Sequence, residues 1–534
     1  MDTGKNENEH SIKAAVIDDA SKNAANSKHI HFKASYFLTL LLSCLIIVVG
    51  LQAIKTTYDN DLWWLLATGR EIVKHGFPRT NPWAIHDGMS IVIQQWVPSV
   101  ILYGLYSLGD MPAVEVMLVL QIIVLFIILW KLCSYLSEGK NTELILLTIL
   151  VAFVSLSSYF SSRPQIYTMM LYAILVLDLE KYRRTNNRRY LYVIPLITMV
   201  HVNFHASMAP LDIFILLLYL VPDIPALISR KFHQSVLFRL SSYARLPLLI
   251  ASLAACAAML INPYGIRGAL YLAESFGTAN YNGFIAEMGE THITTLSGFA
   301  DIALIILGGI AIGRNGKKID FPLTALFVVM AFVSMMHERN IWLVALFALP
   351  LIVTGLYGYS LPAIRLRWLH HRPVYIIFTI ATLDFMLIYS YANIWPTMVD
   401  YINLYKSDSI DYPLQACDWL DAYAEEHGIE KGQIRLFNNF NNGGILEFRG
   451  YKVTMDQRPE LWEPAITEQS RHYFQEFVDF MSGDLDMDDY MNEYSWDFYL
   501  VRDDGQLEDY MEQNTDKYKI VKSCNGYKIW SNVQ

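Results

Sequence analysis

Apolar runs recur along the chain at 37–54, 112–135, 143–160, 164–180, 191–206, 207–222, 247–262, 299–313, 321–336, 340–357 and 374–395, separated by short polar links. Runs of this kind are what a helix needs to cross the hydrocarbon of a bilayer, so the pattern predicts about eleven spans. One further apolar segment, 96–108, is short enough to be either a span or a helix lying in the interface. Counted as a span, it would put the basic cluster KYRRTNNRR (181–189) outside; counted as interfacial, it keeps that cluster inside. The cytoplasmic excess of Lys and Arg selects the second choice, which also places Arg230, Lys231, Arg239, Arg245, Arg314, Lys317, Lys318, Arg365, Arg367 and Arg372 inside. Residues 1–33 are polar and of mixed charge, which predicts a disordered leader before a retained anchor. Lys22, Lys28 and Lys33 hold that leader in the cytoplasm, and an odd number of spans then puts the tail after residue 395 outside.

Between the first and second runs, the stretch YDNDLWWLLATGREIVKHG (58–76) spaces Leu62, Leu65, Leu66 and Ile72 at helical intervals, with Arg70, Glu71 and Lys74 elsewhere. It predicts a short amphipathic interfacial helix ended by Gly76, with Trp63 and Trp64 at the membrane surface. The tail predicts helices at 414–426, 465–481 and 506–513, with strands at 434–437, 452–455, 498–501, 518–521 and 527–530. Such alternation describes a small α/β layer domain. The fold class is therefore mostly α: a polytopic transmembrane helix bundle with a C-terminal extracytoplasmic α/β domain. The divisions are a leader (1–33), the membrane domain (34–395, first outer loop 55–111) and the outer domain (396–534).

Composition agrees with this and narrows the function. The 534 residues are 54% hydrophobic, too many for one soluble domain to cover. The net charge of −10 is uneven: residues 396–534 carry −15, leaving +5 elsewhere, so tail and membrane part read as different bodies. Neither has the basic face that nucleic-acid binding requires. Cys44, Cys133 and Cys256 lie in apolar runs and only Cys417 and Cys524 share the tail, which is not a disulfide framework. No P-loop, GxGxxG, HExxH, CxxC cluster or nucleophile elbow occurs.

On the eleven-span map the polar residues that are costly near a membrane gather at one face, which predicts a water-accessible site there. Asp61, then Asp59, are candidate general bases for a hydroxyl acceptor. Arg163 in SSRPQ and Arg339 in MHERN are candidate ligands for a lipid phosphate, with a carboxylate partner (Asp61 for Arg163, Glu338 for Arg339) as the alternative. His201 and His205 in HVNFH share a helix face, a spacing that serves hydrogen bonding within the bundle or, with a third ligand, a divalent metal. Asn203 between them is a candidate, with His205, for orienting a sugar, and Glu287 with His292 in the loop after Pro263 are candidate rim residues, with a merely solvated loop as the alternative. The loop NNFNNGG (438–444) reads as a turn or as a phosphate or sugar cradle.

Taken together, DNDLWW…TGREIVKHGFPRTNPW, QQWVPSVILYGLYSLG, SSRPQ, HVNFH, NPYGIR, FNNFNNGG and MDQRPELW resemble a family of bacterial multi-span proteins that is similar to the GT-C superfamily of membrane glycosyltransferases. The resemblance runs from about residue 56 to the end. It implies a polyprenyl-phosphate-linked sugar as donor and a glycan, lipid or protein acceptor at the outer face of the cell membrane. It also implies a catalytic acid in the first outer loop, where Asp59 and Asp61 stand. The family pattern has an acid just before the tryptophan of the next element; here Gln95 precedes Trp96, which removes a second carboxylate and weakens the case for a bound metal. No organic cofactor is implied. The alternative from another class is a non-catalytic assembly or partner-recruiting protein of cell-envelope polysaccharide biogenesis.

Overall fold

The computed structural model describes residues 38–51, 60–220, 243–275, 294–315, 320–356, 372–393, 395–396, 412–503, 505–524 and 526–533. The leader, Asp59, Glu287 and His292 lie outside these residues. Helices stand at all eleven positions marked by the long apolar runs: α1 (Leu38–Leu51), α3 (Trp96–Leu136), α4 (Thr142–Leu156), α5 (Gln165–Thr185), α6 (Ile194–Phe204), α7 (Pro210–Leu220), α8 (Arg245–Ala258), α9 (Leu296–Asn315), α10 (Phe321–Met336), α11 (Ile341–Leu356) and α12 (Arg372–Asn393). Among the described residues four helical stretches are long and apolar enough to cross a membrane by themselves: Trp96–Leu136, Thr142–Tyr159, Leu296–Arg314 and Glu338–Leu356. Helix α11 is hydrophobic all round and buried almost throughout, as a central helix must be. Other helices turn apolar side chains outward instead, Leu120, Ile123 and Ile127 on α3 and Ile250 and Leu253 on α8 among them. An exposed apolar belt of this extent is a lipid-facing surface, and the protein is a membrane protein.

Helix α3 absorbs the short segment 96–108 and the run after it in one bent rod. Gly109 and Asp110 leave helical geometry at the bend (φ −156° and +55°), two residues before Pro112, whose ring disfavours a helical predecessor and whose nitrogen has no proton to give. The arm before the bend packs along α2 (Asn60–His75) at the closest distance a glycine allows: a Cβ on Gly69 would stand 2.0 Å from the Ser99 carbonyl oxygen.

Helix α2 corrects the interfacial expectation. Leu62 to Gly69 are buried without interruption, because α3 covers one side and the C-terminal domain the other. Trp63 and Trp64 accordingly sit in protein, not in headgroups: Trp63 meets the rings of Tyr412 and Phe448, and Trp64 lies 4.6 Å beneath the Arg458 guanidinium. Of α2 only Val73–His75 are exposed, with Asp61 and Arg70–Ile72 partly so.

The C-terminal domain contains α13 (Leu414–His427), α14 (Gly443–Arg449), α15 (Tyr473–Ser482), α16 (Met487–Glu493) and α17 (Gln506–Gln513) around a four-stranded sheet. Its strands β1 (Leu436–Asn438), β2 (Phe498–Arg502), β3 (Tyr518–Cys524) and β4 (Tyr527–Asn532) run in the order β1-β2-β4-β3, with β1 and β2 parallel and the other pairs antiparallel. Two expected elements differ. Residues 452–455 do not join the sheet; Val453 pairs instead with the first loop, its N–H donating to the Trp83 carbonyl at 2.7 Å and its own carbonyl accepting from Ile85 at 3.1 Å. The helix expected at 465–481 is broken into Pro464–Thr467 and α15, because Glu468 takes a left-handed conformation (φ +58°). Cys417 and Cys524 are both free thiols.

The contrast in charge between tail and bundle is not a break in packing. One apolar core joins Leu62–Ala67, Trp83–Ile93, Tyr271 and the domain's Trp462, Phe474 and Trp530. His86 belongs to that joint, stacked on Tyr473 at 4.1 Å and edged by Trp462 and Tyr494. Burial first, then the Arg471 charge, push its imidazole from 6.5 down to about 4. Between those values the unfolded chain binds a proton that the fold refuses, so His86 stabilises above pH 6.5 and loses that contribution as pH falls toward 4. Thermal midpoints measured across this range are expected to drop for the wild type by the equivalent of roughly 2 kcal/mol more than for His86→Phe.

Candidate functional site

Asp61 is the second residue of α2, and Arg163 lies in the bend that leads into α5, so each is presented at an element's edge. The structure brings them together: Arg163 Nη1 stands 3.2 Å from Asp61 Oδ2, with the side chains 20% and 22% exposed. That residual exposure makes the pair reachable by a ligand, unlike a sealed ion pair. Beside Arg163 in the chain lie two buried polar atoms that have no hydrogen-bond partner among the described residues: Ser162 Oγ and Gln165 Oε1. Such groups normally find a partner, so their concentration beside one arginine marks a place where a ligand would satisfy them.

The links at the same end of the bundle are tied to one another. The Tyr159 hydroxyl, four residues before Arg163, donates to the Glu338 carbonyl, next to Arg339. Thr168 Oγ1, one turn into α5, contacts His205 Nδ1 at 2.9 Å and His201 Nε2 at 3.3 Å. The other nitrogen of His201 faces both Asp212 oxygens at 3.1 Å, and both residues are fully buried. Asn203 is committed internally as well. Its Oδ1 accepts from the Trp96 indole at 2.7 Å, while its Nδ2 donates to the Met199 and Ile261 carbonyls. It fastens the start of α3 to the ends of α6 and α8.

Arg339 is half-buried and close enough for its charge to act on His205 and on Glu460. Glu460 belongs to MDQRPELW in the C-terminal domain and was not a sequence candidate. The Tyr271 hydroxyl donates to its Oε1 at 2.8 Å, and the Gln94 amide does so at 3.4 Å. Gln94 in turn accepts from the Ala206 and Ser207 backbone N–H groups, beside His205. Burial raises the Glu460 carboxyl above the usual 4.5, against the opposing pull of Tyr271 and Arg339. An acid in MDQRPELW looks like any surface acid; only its placement by three elements distant in sequence reveals it. The Gln95 backbone carbonyl accepts from Ser99 N and Oγ at the start of α3, while its side-chain Oε1 is buried with no partner among the described residues.

Among the described residues no group of three or more His, Cys, Asp or Glu stands together as a metal site.

No protein-family model matches the chain, and no curated relative matches it in sequence. Solved structures do match. The apo oligosaccharyltransferase of Archaeoglobus fulgidus superposes with a TM-score of 0.52 at 12% identity, covering 88% of this chain and 70% of its own. ArnT from Cupriavidus metallidurans, bound to undecaprenyl phosphate, superposes with a TM-score of 0.53 at 10% identity over 92% of this chain and 97% of its own. The fold is GT-C-like. A third match, the archaeal oligosaccharyltransferase AglB in complex with an inhibitory peptide and a dolichol-phosphate, covers 94% of this chain and 75% of its own, with a TM-score of 0.53 at 11% identity. The GT-C-like bundle of this chain thus carries Asp61, Arg163, His205 and Arg339 at one end. The basic residues Arg183 and Arg184 stand at the far end of α5, where Arg183 pairs with Glu180 and Asp320.

Proposed function

We propose that this chain is an integral membrane glycosyltransferase that moves a sugar from a polyprenyl-phosphate donor to an acceptor hydroxyl at the outer membrane face. The observation that carries the proposal is the Asp61–Arg163 contact. An accessible acid and a cation from separate elements meet beside orphaned polar atoms, on a GT-C-like scaffold. In this reading Asp61 takes the acceptor's proton as its oxygen attacks the anomeric carbon. The bond from that carbon to the phosphate oxygen breaks on the opposite side, inverting the sugar, and the electron pair leaves with the lipid phosphate. Charge grows on that phosphate in the transition state, and fixed guanidinium groups at Arg163 and Arg339 stabilise it. His205 and the Asn203-bearing turn shape the sugar's surroundings, and Glu460 adds a second acid from the C-terminal domain. The basic residues at the far end of α5 support an orientation with that end in the cytoplasm and the C-terminal domain outside.

The test is binding of undecaprenyl phosphate to the purified protein, with undecaprenol, which lacks the phosphate, as control. Arg163→Ala and Arg339→Ala are each expected to weaken phosphate-lipid binding about tenfold, the worth of one charged hydrogen bond, and to leave undecaprenol unaffected. Equal affinity for both lipids in the wild type would favour the non-catalytic reading, in which the ion pair is only a tie between helices.

A further inference from the structure

The glycine pair in NNFNNGG is unaccounted for by the chemistry above. It does not form a phosphate cradle: the Gly444 N–H is already given to Gln457 Oε1 at 3.1 Å, and α14 is only seven residues long. What the turn touches is α2. A Cβ on Gly444 would stand 3.0 Å from the Gln457 side-chain oxygen, which can swing aside, and 3.1 Å from the Trp64 backbone nitrogen and 3.2 Å from the Asn60 carbonyl oxygen, closer than side-chain carbons ordinarily come to backbone. Asn60 is the residue before Asp61.

We infer that Gly444 is a positioning residue for Asp61, setting through backbone contact where the first turn of α2, and with it the carboxylate opposite Arg163, comes to rest. The inference rests on the transferase reading of that pair. Helix α2 cannot yield elsewhere to make room, because Gly69 already lies against the Ser99 carbonyl on its other side. Farther along, Arg70 donates to the Phe448 and Glu447 carbonyls at 2.6 and 2.9 Å, fastening α2 to the last turn of α14. The helix is thus held at two points, and Gly444 decides the one nearest the acid. A methyl there moves Asn60 by a few tenths of an ångström and Asp61 with it. Misplacements approaching 1 Å cost about a hundredfold in rate when geometry governs the step.

The test compares wild type, Gly444→Ala, Gly444→Val and Gly432→Ala in sugar transfer from a polyprenyl-phosphate donor, together with undecaprenyl phosphate binding and thermal midpoint. Gly432 is the control, since a Cβ there meets nothing within 4 Å. The expected result is a kcat about tenfold lower for Gly444→Ala and about a hundredfold lower for Gly444→Val, with donor KM and phosphate-lipid affinity within about twofold of wild type. Gly432→Ala is expected to match wild type in every measure. Full kcat in both Gly444 variants would overturn the positioning role alone. So would a kcat loss matched by an equal loss of lipid binding, which would make Gly444 merely a stability residue. A wild-type protein that transfers no sugar would overturn the transferase reading and this inference together.

Discussion

Asp61→Asn is expected to lower the single-turnover rate of sugar transfer in native membranes about a thousandfold while undecaprenyl phosphate still binds. Asparagine keeps the size of aspartate and can still accept a hydrogen bond from Arg163, so α2 and the bend before α5 should stay where they are. What is lost is the ability to take a proton, a term worth about 10²–10⁴ in rate for a positioned base. Binding should hold or tighten, because Arg163 no longer shares its charge with a carboxylate. This opposite movement of rate and affinity separates a base from a structural ion pair, whose removal would loosen the helices and depress both. A wild-type rate in Asp61→Asn membranes would remove Asp61 from the chemistry.

The second large effect concerns stability. Arg458→Met is expected to destabilise the protein by about 3–5 kcal/mol, read as a fall in thermal or denaturant midpoint in detergent. Arg458 is the cation that two fully buried acids share: its Nη2 bonds both oxygens of Glu447 at 2.9 Å, and its Nε bonds both oxygens of Asp456 at 3.1–3.2 Å. Burial pushes the Glu447 carboxyl well up. Burial acts the same way on Asp456, but the Arg458 charge and a hydrogen bond from Glu447 outweigh it and hold that acid below its usual range. One proton and one positive charge thus serve two carboxylates. Taking the guanidinium away leaves a buried negative charge with no compensation, and the methionine side chain fills the space without replacing it. The same guanidinium reaches Thr68 Oγ1 at 3.4 Å and lies over Trp64 and Trp83, so the joint between α2, the first loop and the C-terminal domain should weaken with it. Arg458→Met within about 1 kcal/mol of wild type would mean that the acids are relieved by another route.

The bundle was legible because apolar runs and their basic flanks are one-dimensional signals: each of the eleven long runs became a helix, although the joining of 96–108 to the second run in one bent rod was not foreseen. The Asp61–Arg163 contact was legible as a pair of anomalies, although which anion Arg163 would meet was not. Helix α2 misled for a specific reason. Apart from Asp61 its charges fall in the second half, so averaging over the whole stretch gave an amphipathic helix where Leu62–Gly69 is in fact covered on every side. The unbroken apolar run from Leu62 to Ala67 was the signal that could have shown this. Residues 452–455 have strand composition, but only Val453 pairs, and its partner is Ala84 in the first loop, a pairing that composition cannot specify. Glu460 and Gly444 were invisible as site residues because their meaning depends on contacts to Gln94, Tyr271 and Asn60, hundreds of positions away.

The most direct measurement is a cryo-EM map of the protein with undecaprenyl phosphate. A bilayer-edge site of this kind should show the phosphate between the Arg163 and Arg339 guanidinium groups, within reach of the atoms now lacking partners on Ser162 and Gln165. A phosphate beside Arg183 and Arg184 at the opposite end of α5, or a lipid bound with its headgroup away from both arginines, would contradict the account.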